Sequence, residues 1–352
     1  MVIAIGAALA SRASDGGHLW AIAQWAKGFE ELGYAVVVLE RELPPALGPL
    51  LRRVLGESVR VCATEDFHAR EEEPVALFNF MGYVAPELVG AARSVFVDID
   101  PGYPQMWWEL GLADMFEGHD SFVTVGLNVG GEASIPECGK AWVTTVPPVS
   151  TTAWPAVAGG RRYTTVATWR NAYGTVTYAG RTYGSRVHEF RQYLGLPRHV
   201  DVDLELALRI DPAEVADLEA LRANGWPLVD PDHVAGTPTA YRRYVQSSRA
   251  ELCIAQNMYV GTRSGWLSDR SACYLASGKP VLAQDTGFAE HVGAGEGLIA
   301  FATLAELVAG IEAIEADYEH HSAAARSLAV DCFDARKVVA RLVSDLDLRS
   351  PT

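Results

Sequence analysis

The run from Ser268 to Ala283 constrains this chain most: a residue suited to cap a helix, an apolar helix, the break Gly278-Lys279-Pro280 and a buried strand follow one another directly. A Gly-x-Pro turn stops a helix, so the segment reads as helix then strand, the repeating unit of an α/β layer structure. The same alternation runs along the whole chain. Strands are expected at Val2 to Ala8, Ala35 to Glu40, Ser58 to Ala63, Val75 to Phe80, Ser94 to Asp98, Ser121 to Val125 and Ala141 to Thr144, with a helix from about His18 to Leu32. A second set starts at Tyr163 to Trp169 and continues at Val202 to Leu208, Pro227 to Val229, Ala250 to Ile254 and Pro280 to Ala283. Helix patterns lie between them, near Ser185 to Leu194, Pro212 to Asn224, Thr239 to Ser247 and Ser268 to Ser277, with another at Leu304 to Ile314. Strands separated by helices build parallel sheets covered on both faces.

With 352 residues, 49% of them apolar, the chain can bury two such cores. The Pro-, Gly-, Ser- and Thr-rich stretch from Val146 to Gly160 reads as the linker. Residues 1–150 then form one doubly wound Rossmann-like domain and residues 151–330 a second, while 331–352 is a terminal helix suited to pack back on the first. A break falls near Cys332 to Asp334. Facing domains would place both sets of strand carboxyl ends on a central cleft. The five cysteines, Cys62, Cys138, Cys253, Cys273 and Cys332, are odd in number and lack a Cys-x-x-Cys pair, which indicates neither a disulfide framework nor a zinc site. The amino-terminal apolar run has no basic leader and is followed by Gly16-Gly17-His18, so it reads as a strand and not a signal peptide. No apolar run approaches the roughly 20 residues that span a bilayer, and the cysteine pattern suits a reducing compartment, so a cytoplasmic protein is expected. A formal charge of −15 works against non-specific attachment to nucleic acid or anionic lipid, yet leaves room for a local basic pocket built from second-half arginines.

Several segments carry chemistry. Ser268 suits the N-cap of a helix whose unpaired backbone N–H groups, with Arg263 and Arg270, would favour a diphosphate; Asp269 in the first turn would alternatively serve the helix dipole alone. Gln284, Asp285 and Thr286 follow the next strand, placed to hydrogen-bond sugar hydroxyls or simply to stabilise a turn before Gly287. Arg170, after the first strand of the second domain, is a further candidate for phosphate. In the first domain, Gly16 and Gly17 would let backbone approach a ligand, and His18 is a base suited to neutral pH, unless the turn is merely tight. Asp98 or Asp100 would orient His18 or hold acceptor hydroxyls, and His119 with Asp120 is an alternative base and partner. An Asx turn accounts for Asp100-Pro101-Gly102 without any function. Trp107 lines an acceptor pocket or completes a core. No His or Cys cluster supports a metal.

The order Gly265-Trp266-x-Ser268, a short helix, Gly278-x-Pro280-Val281 and Gln284-Asp285 resembles the donor-binding segment of GT-B nucleotide-sugar glycosyltransferases. The loop Ser14-Asp15-Gly16-Gly17-His18 is similar to the glycine-rich loop of their acceptor domains. The resemblance implies that the second domain holds a nucleoside diphosphate sugar as co-substrate, with no other cofactor and no metal. Arg263 takes the place of a basic phosphate contact, Ser268 of the helix-start hydroxyl, Gln284 and Asp285 of the sugar-contacting pair, and His18 of the acceptor base of inverting members. The family's ribose-gripping glutamate is missing, since Ser271 or Cys273 stands there, and the stereochemical course stays open. The acceptor is expected to be a hydroxyl-bearing small molecule or saccharide, with a nucleic acid disfavoured by charge. A sugar-nucleotide epimerase and a non-catalytic nucleotide-sugar binding protein share this architecture. Nucleotide base, sugar, acceptor and oligomeric state are not set by the sequence.

Overall fold

The apolar runs of the amino-terminal half pair as seven parallel strands: β1 (Val2–Gly6), β2 (Ala35–Glu40), β3 (Arg60–Ala63), β4 (Ala76–Phe80), β5 (Ser94–Asp98), β6 (Ser121–Thr124) and β7 (Trp142–Thr144). The computed structural model describes residues 1–45, 47–68 and 73–351. The sheet order is β3-β2-β1-β4-β5-β6-β7, with Ile3 flanked by Val36 and Ala76. The order reverses between β1 and β4, which opens a crevice at their carboxyl ends. The second half forms a six-stranded parallel sheet of β8 (Arg162–Thr168), β11 (Asp203–Arg209), β12 (Leu228–Val229), β13 (Ala250–Cys253), β14 (Val281–Gln284) and β15 (Leu298–Phe301), ordered β12-β11-β8-β13-β14-β15. An antiparallel hairpin, β9 (Val176–Tyr178) and β10 (Arg181–Tyr183), projects from it after β8.

All the anticipated strands form, each within two residues of its expected ends. The hairpin and β15 do not belong to that expectation. The hairpin strands are three residues each, too short for a period-2 pattern, and β15 follows Gly293, Gly295 and Gly297, which read locally as loop.

The helix Gly16–Glu31 joins the two halves. Its Leu19, Trp20, Ile22, Trp25 and Phe29 are buried, each worth about 1.5–3 kcal/mol when withdrawn from water. At Gly28 a Cβ would meet the Ala335 carbonyl oxygen at 2.7 Å, so the absence of a side chain lets the helix Ala335–Asp345 cross there. The terminal segment also ties into the linker, with Val149 N donating to Phe333 O at 2.7 Å and Ala335 N to Val149 O at 2.9 Å. The helical run after Tyr318 stops at Asp334, whose side chain caps the last helix. Between the lobes, the Trp20 indole donates to Pro238 O at 2.9 Å. Trp154 packs edge-on between Trp20 and Tyr241, at 5.1 and 6.0 Å, contacts that add about 0.5–1.5 kcal/mol each.

Candidate active site

A cavity of about 490 Å3 lies between the lobes, within the roughly 300–1,000 Å3 of small-molecule sites. On its amino-terminal side Asp15 is the N-cap, accepting from His18 N at 3.1 Å. The His18 ring turns back and its Nε2 lies 2.8 Å from Ala8 O. A carbonyl only accepts, so the neutral ring carries its proton on Nε2 and keeps a lone pair on Nδ1. Burial, and next the positive charge of Arg12, lower the pKa of His18 and keep it neutral. Asp100 also lines the cavity; its Oδ2 accepts from Tyr173 Oη at 3.2 Å and its Oδ1 from Tyr259 Oη. Both tyrosines belong to the opposite lobe, so Asp100 is an interlobe tie as well as a cleft carboxylate. Gly17 borders the cavity, but what the two glycines admit is the other lobe: a Cβ on Gly16 would sit 2.4 Å from Thr237 O, and one on Gly17 2.9 Å from the Tyr241 ring.

On the carboxy-terminal side Ser268 Oγ accepts from Arg270 N at 3.2 Å and caps the helix Asp269–Ala276, whose first turn borders the cavity. The Asp269 carboxyl is pushed up to about 6, chiefly by burial, with Arg270 opposing and Asp15 across the cleft adding to the rise. Arg270 itself is engaged: Nε donates to Glu251 Oε1 at 2.5 Å, Nη1 to Val166 O at 2.6 Å and Nη2 to Cys253 Sγ at 3.3 Å. Glu251 is fully buried, so Arg270 is the countercharge it requires.

Arg186 is different. It is 9% exposed and borders the cavity, with Nε donating to Ile254 O at 2.6 Å and Nη1 to Thr168 O at 2.9 Å. It forms no ion pair with a carboxylate among the described residues. Burial, and next the charge of Arg270, bring its pKa down to about 10. A buried guanidinium held only by carbonyl oxygens keeps donors and charge for an anion.

None of the remaining candidates lines the cavity, and each has partners of its own. Arg170 pairs bidentately with Glu214, Nη2 to Oε2 at 3.1 Å. Arg263, at φ 50°, lies 3.8 Å from both Asp285 and Glu290. Gln284 donates to Glu189 Oε2 at 2.6 Å and accepts from Ala255 N at 3.2 Å. Asp285 accepts from Gly287 N at 2.8 Å, and Thr286 donates to Trp266 O at 2.5 Å. The turn after the Gly-x-Pro strand thus fastens its own loop. Asp98 is fully buried and takes hydrogen bonds from Gln105 Nε2 at 2.7 Å, Thr124 Oγ1 at 2.8 Å and Asp100 N at 2.9 Å, with none to His18. Burial pushes its carboxyl up to about 7 against those bonds. Asp120 accepts from Ser94 N at 2.7 Å at the amino end of the sheet, opposite the cleft. His119 lies 3.2 Å from Phe116 O through Nδ1 and 2.9 Å from Asn79 Nδ2 through Nε2. Trp107 is half-buried against Tyr103 and Tyr173, at 5.7 and 5.1 Å. Ser271 and Cys273 are buried, Cys273 Sγ lying 3.7 Å from Gln24 Nε2 of the other lobe.

Two contributors escape a local reading. Arg186 precedes the short helix Val187–Phe190, and its bonds to Thr168 O and Ile254 O, at the carboxyl ends of β8 and β13, hold it at the cleft. Glu40, fully buried at the end of β2, accepts from Leu9 N and Ala10 N at 2.6 Å each and from Arg41 N at 2.8 Å. It holds the turn that carries the Ala8 carbonyl and Arg12. An acid closing the run Val36-Val37-Val38-Leu39 is the signal that marks it in the sequence.

Two facing lobes of this topology are the GT-B fold of nucleotide-sugar glycosyltransferases. The chain is similar to Anabaena HepE in complex with UDP-glucose (TM-score 0.61, 11% identity, 99% of each chain covered). It is similar to an alpha-glucosyltransferase, AGT, in complex with UDP (TM-score 0.59, 10% identity, 99% of this chain and 100% of that one). Sucrose-phosphate synthase from Thermosynechococcus elongatus matches at TM-score 0.54 and 11% identity, over 99% of each chain. No protein-family model and no curated protein matches the sequence. Among the described residues, no helix is long and apolar enough to cross a membrane.

Proposed function

We propose that this protein transfers a sugar from a nucleoside diphosphate sugar to a hydroxyl-bearing acceptor. The observation that carries the reading is Arg186, a buried cation that borders the cleft with the Ser268 helix start and has no carboxylate partner among the described residues. As the bond between the sugar and the diphosphate breaks, negative charge grows on the departing phosphate. Arg186 and the amide-rich front of the Asp269–Ala276 helix stabilise it there. Asp269 accepts hydrogen bonds from donor hydroxyls. The acceptor oxygen forms the new bond to the sugar carbon, its proton passes to Nδ1 of His18, and the nucleoside diphosphate leaves with the electron pair. Asp100, through its charge, supports the protonated His18. The UDP and UDP-glucose bound by the structurally similar proteins make uridine nucleotides the first donors to try.

Titration calorimetry of UDP against the intact protein tests the phosphate assignment. Arg186→Gln is expected to raise Kd roughly 10- to 100-fold, the worth of a charge-assisted hydrogen bond to an anion. Arg263→Gln is expected to change it by less than about 2-fold, since that side chain lies outside the cavity. Unchanged UDP affinity in Arg186→Gln would remove the phosphate site from this cleft.

A further inference from the structure

Glu40 ends β2 fully buried and does not line the cavity, yet three loops at the cleft edge of the first sheet converge on its carboxyl. Oε2 accepts from Leu9 N and Ala10 N, after β1, at 2.6 Å each. Oε1 accepts from Arg41 N, after β2, at 2.8 Å and from Tyr83 Oη, after β4. All these partners are donors, a set that an ionised carboxyl fills and an amide does not, since its NH2 would face two of them.

Leu9 N–H shares a peptide group with the Ala8 carbonyl, to which His18 Nε2 donates at 2.8 Å. A trans peptide is planar and points its N–H and C=O in opposite directions. Pinning the N–H on Glu40 therefore aims the carbonyl at the imidazole. The same contact polarises the peptide, because hydrogen bonds in a chain strengthen one another, and the carbonyl becomes a better acceptor. The rest of the loop closes on itself: Arg12 N donates to Leu9 O at 3.1 Å, Asp15 N to Arg12 O at 2.9 Å and His18 N to Asp15 Oδ1 at 3.1 Å. Together with the bond from Ala7 N to Leu39 O at 3.3 Å, Glu40 fastens this loop to β2.

We propose that Glu40 is a positioning residue for His18: its negative charge, carried through the Ala8–Leu9 peptide, holds the imidazole with its proton on Nε2 and supports the ring when Nδ1 takes up a second proton. The part in turnover rests on the glycosyl-transfer reading; the hold on the ring rests on the hydrogen bonds alone. Arg12, Asp15 and Asp100 act on the same ring through their charges, and Arg186, Asp269 and Tyr241 border the cavity from the other lobe. All six stay in place when Glu40 is replaced.

The test is an NMR titration of the His18 ring in the full chain, wild type against Glu40→Gln, beside the rate of UDP release. Glu40→Gln is expected to lower the ring's midpoint further, since a negative charge that favours the protonated ring is lost. A variant that merely loosens the loop would let water reach the ring, relieve its burial and raise the midpoint instead, so the direction separates positioning from packing. UDP release is expected to fall by about 10²-fold, the usual cost of a misplaced catalytic group, while UDP affinity stays within about 2-fold. Thr64→Val deletes the bond from Thr64 Oγ1 to the Glu40 backbone O at 2.9 Å without touching the carboxyl, and is expected to leave the midpoint where it is. A raised or unmoved midpoint in Glu40→Gln, or an equal fall in Thr64→Val, overturns the proposal. Should Glu40→Gln fail to fold, Glu40→Asp keeps the charge but draws it back from Leu9 N; a smaller downward movement is expected, and a raised or unmoved midpoint overturns the proposal equally. A lowered midpoint with no UDP released from any nucleotide sugar by the wild type keeps the hold on the ring and removes the transferase. A lowered midpoint with full turnover in Glu40→Gln overturns the part of Glu40 in the reaction.

Discussion

On the amino-terminal lip of the cleft the strand-to-helix turn keeps chemistry in reserve, whereas on the carboxy-terminal lip the residues around the most recognisable motif are tied into their own lobe. His18 makes one side-chain hydrogen bond and retains a lone pair on Nδ1. Across the cleft Gln284, Asp285 and Thr286 each hold a partner within the second lobe. Two buried arginines repeat the contrast within a single lobe: Arg270 neutralises Glu251, while Arg186 is held by carbonyls, with no carboxylate partner among the described residues. Availability for a ligand therefore follows from what a group is already bonded to, and not from its distance along the chain to a motif.

The largest effect that sharpens this contrast is expected from the amino-terminal lip. His18→Ala should lower the rate of UDP release from a productive donor and acceptor pair by about 10²- to 10⁴-fold, the usual worth of a general base, while UDP binding by the other lip stays within about 2-fold. Full turnover in that variant would show that the free nitrogen does no chemistry.

Next comes the arginine that holds its own lobe together. Arg270→Ala leaves Glu251 buried without its countercharge and should cost about 3–5 kcal/mol in denaturant unfolding, whereas exposed Arg263→Ala should stay within about 0.5 kcal/mol. Equal losses for the two would erase the distinction drawn between engaged and surface arginines.

The smallest effect is a titration. The folded-state pKa of His18 lies below its ordinary 6.5, first through burial and then through Arg12. A lowered histidine stays neutral as pH falls past 6.5 and is protonated only below it. The acid limb of turnover should therefore have its midpoint below 6.5, and folding should lose the stability of the neutral ring over the same range. Arg12→Ala removes one cause and leaves burial, so the midpoint should rise. A pH–rate profile with an unmoved limb would separate Arg12 from the base.

Much of the fold is legible because its causes are local. β-Branched runs such as Val36-Val37-Val38 pair wherever a sheet is available, Gly278-Lys279-Pro280 must end its helix, and Ser268 caps the next turn whatever surrounds it. Asp15 likewise caps the helix of His18. The hairpin at 176–183 and the strand Leu298–Phe301 stay hidden because neither is long enough to outweigh its glycine-rich or polar surroundings.

By itself the amino-acid sequence determined two alternating sets of strands and helices and the helix start that faces the cleft. These depend on period and turn chemistry over a few residues. Only the tertiary structure decided which polar groups remain open to a ligand. That outcome depends on partners far apart in the chain: Glu251 claims Arg270, Glu189 claims Gln284, Thr237 presses on Gly16, and the carbonyls of Thr168 and Ile254 hold Arg186 at the cavity.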